Sequence, residues 1–159
     1  MAEIDNILSD IKVEYEGQFD LDEVYSLIKD FLKGKGFFIS PKEYSGKDKS
    51  KFKSKWAAQK KIDDFNKYVI EPTIKGDSIK HVTSKNKNLV EGTISIKLDS
   101  FIEHDYENKT ENKPLFKFFK DIYDKFIEKS RQNKYEKELK DYTFELINEI
   151  KAYFNLNKV

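Results

Sequence analysis

The chain has no cysteine. That excludes disulfides, thiolate zinc sites and cysteine nucleophiles. It agrees with a reducing compartment, and a cytoplasmic location is the expectation. Only three prolines and six glycines occur in 159 residues, so regular elements are expected over most of the chain. No window approaches the roughly 18 apolar residues of a membrane-spanning helix. The start, Met-Ala-Glu-Ile-Asp-Asn-Ile-Leu, is acidic and has no long apolar run, which predicts no signal peptide. A Gly-rich phosphate loop is lacking, because Gly34-Lys35-Gly36 has the wrong spacing. Nothing resembles a nucleophile elbow. The expectation is a non-catalytic protein without cofactor or metal.

What is present is charge and aromatic rings. Charged residues make up 37% of the chain and aromatics 14%. Such charge alone points to disorder, but 13 Phe, 9 Tyr and one Trp supply large areas to bury. The length predicts a single domain over residues 1–159. Net charge is +1, so a polyanion would have to be met by a local patch.

The cleanest period lies at residues 92–102. Ile94, Ile96, Leu98 and Ile102 fall on one side of an extended chain, and Thr93, Ser95, Lys97 and Asp99 on the other. This predicts a strand with one buried and one wet face. Ile11, Val13 and Tyr15 alternate with charges and predict a first strand up to Gly17, with residues 2–10 read as a turn of helix. Asp20 followed by Glu23 is a capping-box pattern, and Phe19 and Val24 are placed as a hydrophobic staple. A helix over 20–33 follows, with Gly34 as its left-handed stop.

Phe37-Phe38-Ile39 begins a second strand that Pro41 makes short or confines to an edge. Gly46 and its neighbours read as a loop. Residues 51–62 alternate weakly as a strand, and Asp63-Asp-Phe-Asn66 is a turn signal. Residues 67–71 form a returning strand, residues 78–84 another, and Lys85-Asn-Lys-Asn88 a second turn. After Pro114 two apolar stripes occur, one over 115–126 and one over 139–153. They lie about 140° out of register at 100° per residue. That predicts two helices, about 115–130 and 134–155, with Asn133 capping the second. The expected fold class is therefore α+β: an antiparallel meander sheet with one N-terminal helix and two C-terminal helices packed on one face.

The stretch Gly17-Gln-Phe-Asp-Leu-Asp-Glu-Val-Tyr-Ser-Leu-Ile-Lys-Asp-Phe-Leu32 resembles the front of some small uncharacterised archaeal proteins. In them a strand runs into a helix of the type acidic-x-x-x-Leu/Val-Tyr. Later features of that pattern would here be Lys55-Trp56, Glu103-His-Asp-Tyr106 and Phe116-Lys-Phe-Phe119. The resemblance spans most of the chain. It implies an archaeal or archaeal-virus origin and no particular activity.

Only His81 and His104 offer imidazoles. His104 is flanked by Glu103 and Asp105, but adjacent strand residues point to opposite faces, so the three cannot converge on a metal. The acids at Asp20, Asp22 and Glu23 are explained by helix capping and the macrodipole. The Phe-rich 115–127 stretch lacks a basic polar face, so core packing is expected rather than membrane contact.

The sharpest surface candidate is basic. Residues 42–61 hold eight lysines against Glu43 and Asp48, interleaved with Tyr44, Phe52 and Trp56. Lys47, Lys49, Lys51, Lys53, Lys55, Lys60 and Lys61 are the candidate phosphate contacts. Arginine is absent from the run, which argues against specific base reading. The alternative is a solvated lysine face that also discourages edge pairing. Trp56 points away from Lys51, Lys53 and Lys55 in a regular strand, toward a core. The leading expectation is a binding or assembly protein, with a protein partner or self-association. Nucleic-acid binding through 42–61 is the alternative.

Overall fold

The computed structural model describes residues 3–48, 50–82, 89–104 and 128–156. Strand β1 (Glu3–Asp20) leads into helix α1 (Leu21–Gly34). Strands β2 (Phe38–Asp48), β3 (Lys51–Lys61), β4 (Asn66–His81) and β5 (Leu89–His104) follow. The last described element is helix α2 (Glu128–Leu156). The five strands form one antiparallel sheet in the order β1-β5-β4-β3-β2. β2 to β5 form a meander, and β1 closes against β5. α1 therefore links the two opposite edges of the sheet.

One face of the sheet meets both helices. β5 supplies Ile94, Ile96, Leu98 and Ile102 to that face, all buried, as its alternation requires. β4 adds Tyr68, Ile70 and Ile74, β3 adds Trp56 and Ala58, and β1 adds Phe19. α1 contributes Val24, Ile28 and Leu32, and α2 contributes Leu139, Leu146, Ile147, Ile150 and Phe154. The α2 residues recur at helical spacing and make a single stripe. Each fully buried aliphatic side chain contributes about 1.5–3 kcal/mol relative to exposure.

Both ends of α1 are set by local chemistry. Asp20 is the N-cap, accepting from the backbone N–H groups of Asp22 and Glu23. At the other end Phe37 N donates to Leu32 O and Gly36 N to Lys33 O, a Schellman closure. The left-handed residue is Gly36, at φ +90°, so the stop falls two residues beyond the expected Gly34.

The expected fold class is corrected in its helices. The described residues carry two helices, one after the first strand and one at the C-terminus, not three. The expected break near Asn133 is absent, because α2 is continuous from Glu128. Residues 128–134 contain strong helix formers and neither Gly nor Pro, so nothing interrupts the backbone ladder. The stripe over 115–126 lies outside the described residues, as does the turn at 85–88.

Three strand expectations are corrected as well. Residues 3–10 extend β1 rather than forming a helical turn, and pair with the end of β5. β2 continues through the expected loop at Gly46. The two strands expected over 67–71 and 78–84 are, as far as His81, one strand, β4, interrupted by a register shift between Asp77 and Lys80. Ser78 at φ +54° marks that bulge, and Asp10 at φ +57° marks a similar shift in β1. Asp10 is held there by its N–H donating to Asp99 Oδ1 at 2.9 Å.

Candidate functional site

The sheet face opposite α1 and α2 carries Lys51, Lys53, Lys55 and Lys61 of the basic stretch. Lys53 and Lys55 share a face because they sit two apart on β3. Cross-strand pairing puts Lys55 beside Glu43 on β2 and Thr73 on β4. Glu71, next but one to Thr73 on β4, is buried and lies opposite Asp99 of β5. An unpaired buried carboxylate is costly, and Glu71 is matched by two lysines. Lys42 Nζ lies 3.0 Å and Lys55 Nζ 3.4 Å from its Oε2.

The same pairing continues sideways. Lys97 bridges Asp99 and Asp10, each at 3.6 Å. Lys67 meets Glu103 at 3.4 Å and donates to Gln59 Oε1 at 2.9 Å. Lys53 meets Glu43 at 3.5 Å. Among the described residues this face is a lattice of ion pairs in which like charges also oppose one another, Lys53 facing Lys75 and Glu71 facing Asp99.

The other predicted lysines of β3 make separate contacts, Lys51 and Lys61 on the face of Lys53 and Lys55 and Lys60 on the opposite one. Lys51 lies 3.9 Å from Asp77, and Lys61 lies 3.6 Å from Asp64. Lys60 projects to the helix side, where its ammonium donates to the Tyr142 hydroxyl at 3.0 Å. Lys47 has its backbone in β2, and Lys49 lies outside the described residues. Trp56 is buried on the helix side, edge-on to Tyr25 at 5.3 Å, with the Lys29 ammonium 4.9 Å from its ring centre.

A polar cluster missed by sequence reasoning lies between the sheet and α2. Tyr142 accepts from Lys60 and donates to Glu138 Oε1 at 3.0 Å. Tyr135 donates to Asp63 Oδ2 at 3.3 Å, and Asp63 also caps the turn into β4 through Phe65 N and Asn66 N. Tyr68 packs edge-on to Tyr135 and Tyr142. Its hydroxyl is buried and makes no hydrogen bond among the described residues. Burial, with Glu138 next in weight, pushes the Tyr68 phenol well above its ordinary range. These groups are spread over three elements, so only the register brings them together. The cluster offers a neutral phenol, an ammonium and carboxylates that engage one another.

His104 Nδ1 pairs with Asn66 Oδ1, while Glu103 turns to Lys67. The two neighbours do diverge, as strand geometry requires. Asp105 lies outside the described residues. Among the described residues no group of three His, Asp or Glu is placed to hold a metal ion. No described helix is long and apolar enough to cross a membrane.

Among the described residues the sheet ends in two edge strands, β1 and β2. β2 carries Pro41 and two register irregularities against β3. Proline and bulges both discourage further pairing. Phe38 and Tyr44 on β2 are each 74% exposed. β1 carries two shifts as well, but both precede Ile11, and from Ile11 to Asp20 it pairs with β5 without a break and has no proline. Among the described residues no strand lies on its other side. A cleft of about 440 Å³ runs along that side, lined by residues 12–16 of β1 and by Lys151, Phe154 and Asn155 of α2.

Comparison of the chain with protein-family models, with curated proteins and with solved structures returns no match.

Proposed function

We propose that this protein is a non-catalytic assembly subunit that works by self-association through its sheet. One observation carries the reading: the regular, proline-free stretch 11–20 of the edge strand β1, with a cleft beside it. An edge of this kind presents backbone donors and acceptors to an added strand. The charge lattice around Glu71 supports the same reading. It holds Lys53 and Lys55 each against a carboxylate, which lowers the positive field these two offer a polyanion.

Nucleic-acid binding through 42–61 is the second reading. It is favoured by Lys51, whose side chain is 70% exposed, and by the exposed Tyr44 ring. Two measurements separate the readings. Light scattering across a concentration series should show a mass above one chain that rises with concentration. A gel shift with generic single- and double-stranded DNA and RNA should show no salt-sensitive complex. A monomer at all concentrations that binds oligonucleotide steeply at low salt would reverse the assignment.

A further inference from the structure

We propose that the occupant of the β1 edge, which no described strand covers, is β1 of a second copy, antiparallel and centred on Val13. This inference rests on the self-association reading and specifies its geometry. It follows from the order of charges along the strand. Lys12, Glu14 and Glu16 lie on the sheet face opposite α1 and α2 and are exposed. Ile11, Val13 and Tyr15 lie on the helix side, packed against the core but only partly covered.

In an antiparallel pair about a twofold axis at Val13, Lys12 faces Glu14 of the second copy, and Glu14 faces its Lys12. On the other face Ile11 meets Tyr15 of the second copy, and Val13 meets Val13. Opposite charges and apolar pairs directly across from each other are the stabilising combinations of an antiparallel ladder. Within one chain Lys12 and Glu14 are already paired at 2.8 Å. The twofold therefore builds a square of alternating charge.

Three neighbouring registers that keep both sets of helices on one side set like charges opposite, and centring on Ile11 would need Asp10, which the bulge removes from the ladder. Centring on Glu14 sets that carboxylate against itself at the axis, offsetting the Lys12–Glu16 pairs it would form on either side. Centring on Lys12 opposes two ammonium groups. Centring on Tyr15 opposes Glu14 and Glu16. The register centred on Val13 would bring Glu16 toward Asp10, but the bulge at Asp10 takes that residue out of the ladder. The added strand would occupy the cleft along residues 12–16, beside Lys151 and Asn155. The five-stranded sheet would become a ten-stranded one.

The test uses charge reversal at two exposed positions, where folding is not at stake. Wild type, Lys12→Glu, Glu14→Lys and the double swap are compared by sedimentation equilibrium, with circular dichroism to verify folding. Each single variant sets like charges opposite at both symmetric positions, and its dimer should be about tenfold weaker or more. The double swap should dimerise like wild type. An equimolar mixture of the two single variants should also recover dimer. In the mixed pair both positions of the Lys12→Glu chain are acidic and both positions of the Glu14→Lys chain are basic, so opposite charges face each other at each rung. High salt should shrink all these differences. If either single variant dimerises as tightly as wild type, or the mixture gains nothing, this interface is wrong and self-association proceeds elsewhere. If wild type stays monomeric up to millimolar concentration, the self-association reading falls with it, the outcome expected were the edge kept for a foreign strand.

Discussion

The Tyr153 hydroxyl donates to Glu23 Oε2 at 2.9 Å, tying the last turns of α2 to the first turn of α1. The Asp20 backbone N–H also points at that hydroxyl, at 3.4 Å. The sequence pattern predicts Glu23 returning directly to the Asp20 N–H. Here a phenol from 130 residues away stands between the two. A local helix start thereby becomes a tertiary contact that joins both helices.

Asp20→Ala should lower unfolding free energy by about 1 kcal/mol, because two N–H groups of α1 lose their acceptor. Tyr153→Phe keeps the cap and the ring packing on Phe154, so about 0.5–1.5 kcal/mol is expected from the lost hydrogen bond. Urea denaturation of both variants and their combination checks this. Strict additivity would mean that the phenol and the cap act independently, contrary to the relay.

The stop of α1 yields a paired prediction. Gly34 lies within the helix, and a Cβ built there meets nothing. Gly34→Ala should therefore stabilise by roughly 0.4–1 kcal/mol through the unfolded chain. Gly36 sits at φ +90°, so Gly36→Ala should destabilise by about 1 kcal/mol or more. Thermal melts of the two variants moving the same way would contradict the closure at Gly36.

That two-residue slip shows where the sequence is legible. Periodicity finds what repeats within one element: the alternation of β5, the stripe of α1, the Asx turn at Asp63. It does not find where a pattern ends. Gly34 and Gly36 are both good stops, and the choice depends on where Phe37 docks in the core. Residues 3–10 lack clean alternation because β1 bulges at Asp10, which breaks the period where pairing continues. Ser78 hides the unity of β4 in the same way. The break expected near Asn133 came from comparing stripes on either side of a polar stretch, and a polar stretch alone does not stop a helix.

The candidate site was legible only in part. The lysines of 42–61 stand out in the chain, but Glu71 and Asp77, the partners of Lys42, Lys55 and Lys51, lie on β4. No local pattern announces that these carboxylates face β3. The edge status of β1 was likewise hidden, because alternation looks the same in an edge strand and an inner one.

Alkaline pH should unfold the protein through its tyrosines. Burial, with the neighbouring Tyr44 phenol next in weight, pushes Tyr25 from 10.0 up to about 12. Tyr68 and Tyr153 are pushed up further, burial again being the first cause. A raised folded-state value means that the folded chain holds its protons more tightly than the unfolded chain. The associated stability is fully present below pH 10, the ordinary tyrosine value, and is lost as pH rises through about 12. Absorbance titration at the phenolate band should show a fraction of the nine tyrosines lagging until circular dichroism is lost. A single reversible titration near pH 10 for all of them would contradict the burial of these phenols.

Trp56 decides most directly between the two functional readings. Its indole is 7% exposed, between Tyr25 and the Lys29 ammonium, on the opposite side of β3 from Lys53 and Lys55. Its emission should be blue-shifted and unquenched by added oligonucleotide. Trp56→Ala should cost about 3–5 kcal/mol by opening a cavity. The lysines need a gentler probe than glutamate, since Lys53 and Lys55 lie against Glu43 and Glu71 and a third acid there would repel both. The combined Lys51→Gln, Lys53→Gln and Lys55→Gln variant should fold and leave the fluorescence titration as flat as in wild type. Emission quenched by oligonucleotide at low salt, and restored in the glutamine variant, would instead mean that 42–61 meets phosphate and that the charge lattice opens to admit it.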